Sequence, residues 1–177
     1  NSNLELKEHF RCVPELIEFS KFNFYNNSLR PLKQINGNRL QPKIPVFIDD
    51  AFTEEKIVYK EIEQIKSYLR NILTDDKYSN KTIGVVSLGL TKHTEKLKDI
   101  KEDLTNEFGK DKIDKHKLII EDSPKFQGDE RDVMLVSLGV ATDFEKLKKN
   151  ENAKPRAIIS DQDEFKKINV ALSRAKE

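Results

Sequence analysis

Four short apolar runs constrain the fold of this chain more than any other feature: Val46-Phe47-Ile48, Ile83-Gly84-Val85-Val86-Ser87-Leu88, Leu118-Ile119-Ile120 and Val133-Met134-Leu135-Val136. Each is too short for a helix and shows no polar alternation, the pattern of a strand buried on both faces. The sequence between them is highly charged but carries apolar residues at helical spacing. Ile57, Val58, Ile62, Ile65, Leu69 and Ile72 form one such stripe, and Leu97, Ile100, Leu104 and Phe108 a narrower one. Strands separated by helices are joined by crossovers, not hairpins, so the expected class is α/β: a parallel sheet with helices on both faces.

Local signals set the remaining elements. Pro14 opens a helix, since its missing N–H would be unpaired in the first turn anyway, and Leu16, Ile17, Phe19 and Ser20 continue it toward Phe22-Asn23-Phe24-Tyr25 until Asn26-Asn27-Ser28 ends it. Thr53 is the expected N-cap of the second helix, with Glu54 and Glu55 in its first turn. Gly109 is placed to stop the third in a left-handed conformation. The polar stretch from Ala141 to Arg156 reads as a surface excursion, followed by the apolar Ala157-Ile158-Ile159 and a last helix from about Asp163. There is no internal repeat.

The 177 residues suffice for one domain, which buries roughly 70% of the surface its unfolded chain exposes. Charged residues reach 36% against about 25% in an average soluble protein, while 32 basic and 31 acidic side chains leave a formal charge of +1. No global positive field exists, so contact with a nucleic acid has to come from a local patch. The lone Cys12 excludes an internal disulfide, and His9, His93 and His116 lack the spacing of a zinc site. These features point to a cytoplasmic, reducing compartment. No apolar run approaches the ~20 residues that cross a bilayer, and Asn1-Ser2-Asn3 does not begin a signal peptide, so no membrane partner is expected.

Chemistry concentrates in two stretches. Phe126-Gln127-Gly128-Asp129-Glu130-Arg131-Asp132 is a polar turn running into the apolar Val133–Val136, and Asn169-Val170-Ala171-Leu172-Ser173-Arg174-Ala175-Lys176 is a short helix with an arginine near its end, where a phosphate could be met. A Gly-Lys-Ser/Thr phosphate loop is missing from the chain. Asp49 and Asp50, after Val46-Phe47-Ile48, imitate acids that hold Mg²⁺, but without such a loop a solvated strand end is the plainer reading. Plainer readings exist elsewhere too: a core aromatic for Phe10, a surface ion pair for Arg11, a solvated turn for Glu130-Arg131-Asp132 and a surface arginine for Arg174.

The two stretches resemble motifs V and VI of superfamily 1 helicases, in the branch that includes the RNA-decay and replication-linked helicases. Leu6-Lys7-Glu8-His9-Phe10-Arg11-Cys12-Val13-Pro14-Glu15-Leu16-Ile17-Glu18-Phe19-Ser20 is similar to motif IV and the helix after it. The resemblance implies that residues 1–177 are the second RecA-like domain of a longer chain, P-loop NTPase-like in fold but without the P-loop itself. It implies ATP with Mg²⁺, the metal ligands lying on the first RecA-like domain of the same polypeptide, and a nucleic-acid partner, DNA before RNA. Phe10 then takes the place of the adenine-stacking ring and Arg11 that of a γ-phosphate arginine. Gln127, Gly128 and Glu130 match the turn that meets the nucleotide, glycine for close approach and glutamate for the ribose. Arg174 matches the arginine finger, and Asp122 and Ser123 the part that meets the nucleic-acid backbone. Asn169 and Ser173 are expected to position the helix.

The chain departs from the family pattern at Thr91-Lys92-His93, where many relatives have a nucleic-acid-contacting glutamine, and at Glu121, which replaces a common glycine. It also stops directly after motif VI, which reads as excision from a longer protein. Two other functions remain open at this stage: a binding module that kept the fold without turnover, and a metal nuclease using Asp49, Asp50 and Asp122. The paired Arg11 and Arg174 favour the motor, since a binding module has no need of two cations aimed at one phosphate.

Overall fold

The computed structural model describes residues 7–33, 39–126, 128–149, 151, 153–155 and 162–176. Strand β1 (Glu8–His9) bends into helix α1 (Pro14–Phe24), whose proline lies in the first turn as expected. Asn26 and Asn27 then take φ of +45° and +63°, a region asparagine tolerates. The reversal lets β2 (Arg30–Pro31) pair parallel with β1. The chain continues through β3 (Phe52–Thr53), α2 (Tyr59–Thr74), β4 (Ile83–Ser87), α3 (Thr91–Phe108), α4 (Lys110–Lys115), β5 (Ile119–Asp122), β6 (Val133–Ser137), β7 (Thr142–Asp143), α5 (Phe144–Lys148) and α6 (Gln162–Ser173). Gly109 ends α3 at φ +85° but with an extended ψ of 151°, so it redirects the chain into α4 instead of forming a left-handed cap.

The central sheet has the order β5-β4-β6, all parallel, with Val85 opposite Ile120 on one side and Leu135 on the other. β4 is buried along its whole length. Alternation along the strands sorts side chains between two faces. Ile83, Val85, Ile120, Val133 and Leu135 pack against α2, α3 and α4, where Leu69, Leu97 and Leu104 are fully buried. Val86, Ile119, Met134 and Val136 face Phe126 and Ala171 of α6. This is the two-sided parallel sheet expected from the apolar runs. A third cluster, Cys12, Val13, Leu16, Ile17, Leu29 and Ala175, fastens α1 to the residues that follow α6. Phe19 and Phe165 stack between the same two helices at 5.8 Å.

Two further expectations fail. Val46-Phe47-Ile48 forms no strand: it follows Pro42 and Pro45, and Phe47 is 88% exposed. A three-residue apolar run carries no periodicity of its own, and the prolines remove ladder donors beside it. Thr53 caps no helix. It lies in β3, parallel to β7, and its hydroxyl donates to the Ala141 carbonyl at 3.0 Å. Glu54 and Ile57 then exchange two backbone hydrogen bonds across Glu55 and Lys56, both at positive φ, and α2 starts only at Tyr59. Ala157-Ile158-Ile159 lies outside the described residues.

Candidate functional site

Three distant pieces of sequence meet at the start of β6. Arg11 comes from the bend between β1 and α1, Glu130 from the turn before β6, and Arg174 and Lys176 from the tail after α6. Backbone pairing fixes the tail: Arg131 N–H donates to the Arg174 carbonyl at 3.1 Å, and Lys176 N–H to the Arg131 carbonyl at 2.9 Å. The tail thus adds a one-residue parallel bridge, Arg131 to Ala175, beside the sheet. Lys33 clamps its far end, Nζ lying 2.5 Å from the Lys176 carbonyl.

Cys12 joins the tail to the Arg11 bend. Its thiol is fully buried and donates to the Ser173 carbonyl at 3.2 Å, while its backbone N–H donates to His9 Nε2 at 3.1 Å. Burial pushes the thiol up to about 11, so it stays protonated and remains a donor at neutral pH. Asn169 accepts a hydrogen bond from Ser20 of α1, which holds α6 in place, the positioning role expected of it.

The side chains converge on one carboxylate. Glu130 Oε2 lies 2.8 Å from Arg11 Nε, and Oε1 2.7 Å from Lys176 Nζ. The Lys176 hydrogen bond, with further help from Arg11, holds the Glu130 carboxyl below its ordinary range. Arg174 differs: burial and then the like charge of Arg11 lower its pKa, and its Nε is buried without a hydrogen-bond partner among the described residues. A buried guanidinium donor without an acceptor is costly unless an anion arrives to take it. Asp129 is occupied by Arg131. Among the described residues, Arg11, Arg174 and Lys176 stand against Glu130, a local excess of positive charge on a nearly neutral chain, and these residues fit the phosphate end of a nucleotide.

The neighbouring residues divide. Phe10 is 66% exposed, so it is no core aromatic, and it stands next to Arg11 in the chain. Gly128 has φ +88° with open space where a Cβ would lie, so the turn geometry itself calls for glycine there. Gln127 lies outside the described residues. The solvated-turn reading of Glu130-Arg131-Asp132 is overturned: besides the Glu130 and Arg131 contacts, the Asp132 carboxylate accepts from both N–H and hydroxyl of Thr82, at 2.8 and 2.7 Å.

On the opposite edge of the sheet, Asp122 ends β5 half-exposed, accepting from the Lys125 N–H at 3.2 Å. Ser123 is a correction: it is 2% exposed and its hydroxyl donates to the Lys167 carbonyl at 2.9 Å. It ties α6 to the sheet, and its hydroxyl is not exposed for a contact with a nucleic acid. Glu121, in place of the family's glycine, pairs with Lys98 at 2.6 Å and links β5 to α3. Among the described residues no three His, Cys, Asp or Glu side chains are placed to hold a metal ion, so Asp49, Asp50 and Asp122 do not form the nuclease centre.

A buried polar cluster at the C-terminal end of β6 is invisible in the sequence. Glu61 of α2 accepts from the Ser137 hydroxyl at 2.9 Å and from the N–H groups of Leu138 and Gly139 at 2.8 and 2.9 Å. His93 Nδ1 accepts from the Val58 N–H at 3.2 Å, which leaves Nε2 facing Ser137 Oγ at 2.9 Å. Burial pushes the Glu61 carboxyl up and His93 down to about 4. Gly139, at φ +61°, passes so close that a Cβ would lie 2.6 Å from Gly89 Cα. The fully buried His93 cannot replace the nucleic-acid-contacting glutamine of relatives, although Thr91 and Lys92 beside it are exposed.

The structure is a parallel α/β domain with three basic side chains, Arg11, Arg174 and Lys176, at one corner of its sheet. The whole chain, residues 1–177, matches the family model of the AAA domain, and the chain belongs to that family. This domain is found in superfamily 1 helicases; it is RecA-like and marks a helicase-like ATPase, which implies use of a nucleotide. No curated protein matches the chain. Among the described residues no helix is long and apolar enough to cross a membrane.

Proposed function

We propose that the chain is the C-terminal RecA-like half of an ATP-dependent helicase or translocase, acting on DNA in preference to RNA, in the branch with the RNA-decay and replication-linked helicases. Its partner is the first RecA-like domain of the same polypeptide, which carries the phosphate loop and the Mg²⁺ ligands. Phe10 stacks on the adenine, Gln127 and Gly128 line the nucleotide, and Glu130 accepts the ribose hydroxyls. Arg11 and Arg174 reach the γ-phosphate, where fixed planar cations stabilise the charge that spreads over oxygens in the transition state. Asp122, with the exposed Thr91 and Lys92, lies toward the nucleic acid.

One observation carries this reading. Arg11, ion-paired to Glu130, and Arg174, 163 positions apart in sequence, lie close enough for their like charges to oppose each other, and the buried Nε of Arg174 has no hydrogen-bond partner among the described residues. The preference for DNA rests on the motif resemblance alone.

The purified 177-residue chain should hydrolyse no ATP with or without single-stranded DNA, whereas the longer protein should show turnover stimulated more by DNA than by RNA. DNA-stimulated hydrolysis by the chain alone would overturn the half-site reading, and equal or greater stimulation by RNA would reverse the substrate preference.

A further inference from the structure

Glu130 is engaged beyond what a ribose contact requires. Both of its oxygens face cations from opposite ends of the chain, Arg11 at 2.8 Å and Lys176 at 2.7 Å. The backbone of Lys176 is itself held, its N–H donating to the Arg131 carbonyl and its carbonyl accepting from Lys33. The carboxylate is therefore fixed from one side and grips the guanidinium on the other. Its contact with Arg11 is at Nε, on the stem side of the guanidinium, which sets the plane in which the terminal nitrogens are presented. The opposing influence is Arg174, whose pKa is lowered first by burial and then by the like charge of Arg11. Two guanidiniums that must serve one phosphate need a counter-charge to be held close before the phosphate arrives.

We propose that Glu130 is a positioning residue for phosphoryl transfer: held by Lys176, its carboxylate orients Arg11 toward the γ-phosphate beside Arg174, in addition to any contact with the ribose. Sugar and phosphate recognition then share one carboxylate. The proposal rests on the assignment of Arg11 as a γ-phosphate ligand and adds to it how Arg11 is held.

The two duties of Glu130 separate with 2′,3′-dideoxy-ATP, which offers no ribose hydroxyl to accept. In the full-length ATPase, Glu130→Gln should lower kcat for this nucleotide at least tenfold with little change in KM. In an Arg11→Ala background the same substitution should cost less than twofold, because the residue through which Glu130 acts is gone. Glu130→Asp, which retains the charge, should recover part of the loss, and it serves as the test variant if Glu130→Gln does not fold. In the 177-residue chain without nucleotide, the Arg11 Nε–Hε NMR resonance should shift on Glu130→Gln. Wild-type turnover of the dideoxy nucleotide by Glu130→Gln, an equal loss in the Arg11→Ala background, or an unmoved Arg11 resonance would each overturn the proposal. Unchanged turnover in Arg11→Ala alone would remove the underlying assignment as well, which distinguishes the two failures.

Discussion

Phe10, Arg11 and Cys12 are consecutive and do three different things: an exposed ring, an ion-paired guanidinium and a fully buried thiol. A bend in the backbone sends them in different directions, so each can be tested separately. Stacking on a base is nearly the same in ground and transition states, so Phe10→Ala in the full-length enzyme should raise the KM for ATP more than it lowers kcat, and tyrosine should substitute well. Steady-state kinetics check this; unchanged nucleotide kinetics with a lower melting temperature would make the ring structural. Cys12 should resist thiol reagents in the native chain at pH 8 and react fully in denaturant, because it is buried and its pKa is pushed up to about 11. Rapid labelling of the native protein would mean that the joint between the Arg11 bend and the Ser173 carbonyl is open.

Elements that bury an extended apolar pattern were readable from sequence; those set by single polar contacts were not. Ile83–Ser87 and the stripe Ile62, Ile65, Leu69, Ile72 appear where expected because burial repeats along them. Val46–Ile48 lacked that repetition, and the start of α2 moved from Thr53 to Tyr59 because β7, remote in sequence, captured Phe52 and Thr53. The site shows the same split. Arg11, Glu130 and Arg174 were found by motif, whereas Lys33 and Cys12, and the role of Lys176, depend on backbone carbonyls that no spacing reveals. The Glu61–Ser137–His93 cluster joins α2, β6 and α3 and has a measurable signature. His93 has a folded pKa of about 4 against 6.5 when unfolded, so its stabilising contribution is present above pH 6.5 and is lost as pH falls toward 4. The span corresponds to about 3 kcal/mol at about 1.4 kcal/mol per pH unit. Glu61, shifted upward, works in the opposite sense, and both proteins in the following comparison carry it. Denaturant midpoints between pH 7 and 4.5 should fall more steeply for the wild type than for His93→Gln, which starts less stable; parallel curves would mean that His93 is not held neutral.

At the scale of the whole molecule, two layers of helices hold a three-stranded parallel sheet, and the segment around Cys12 meets the segment after α6 at one corner of it. The joint between α1 and the tail after α6 brings Arg11 to Arg174, so the fold's closure and the site's assembly are the same event. The formal charge of +1 leaves that corner as a local attractor for phosphate. The buried Nε of Arg174, without a hydrogen-bond partner among the described residues, is the donor that the proposed function assigns to a triphosphate held by the first RecA-like domain. The decisive measurement is therefore nucleic-acid-stimulated ATP turnover by the full-length protein carrying Arg174→Ala. The account expects kcat to fall by about 10³-fold or more while ATP affinity changes far less, the scale of arginine fingers, with Arg174→Lys a poor rescue because a point charge cannot replace a planar fork. Near-normal turnover in Arg174→Ala would contradict it and leave the end of α6 a structural feature.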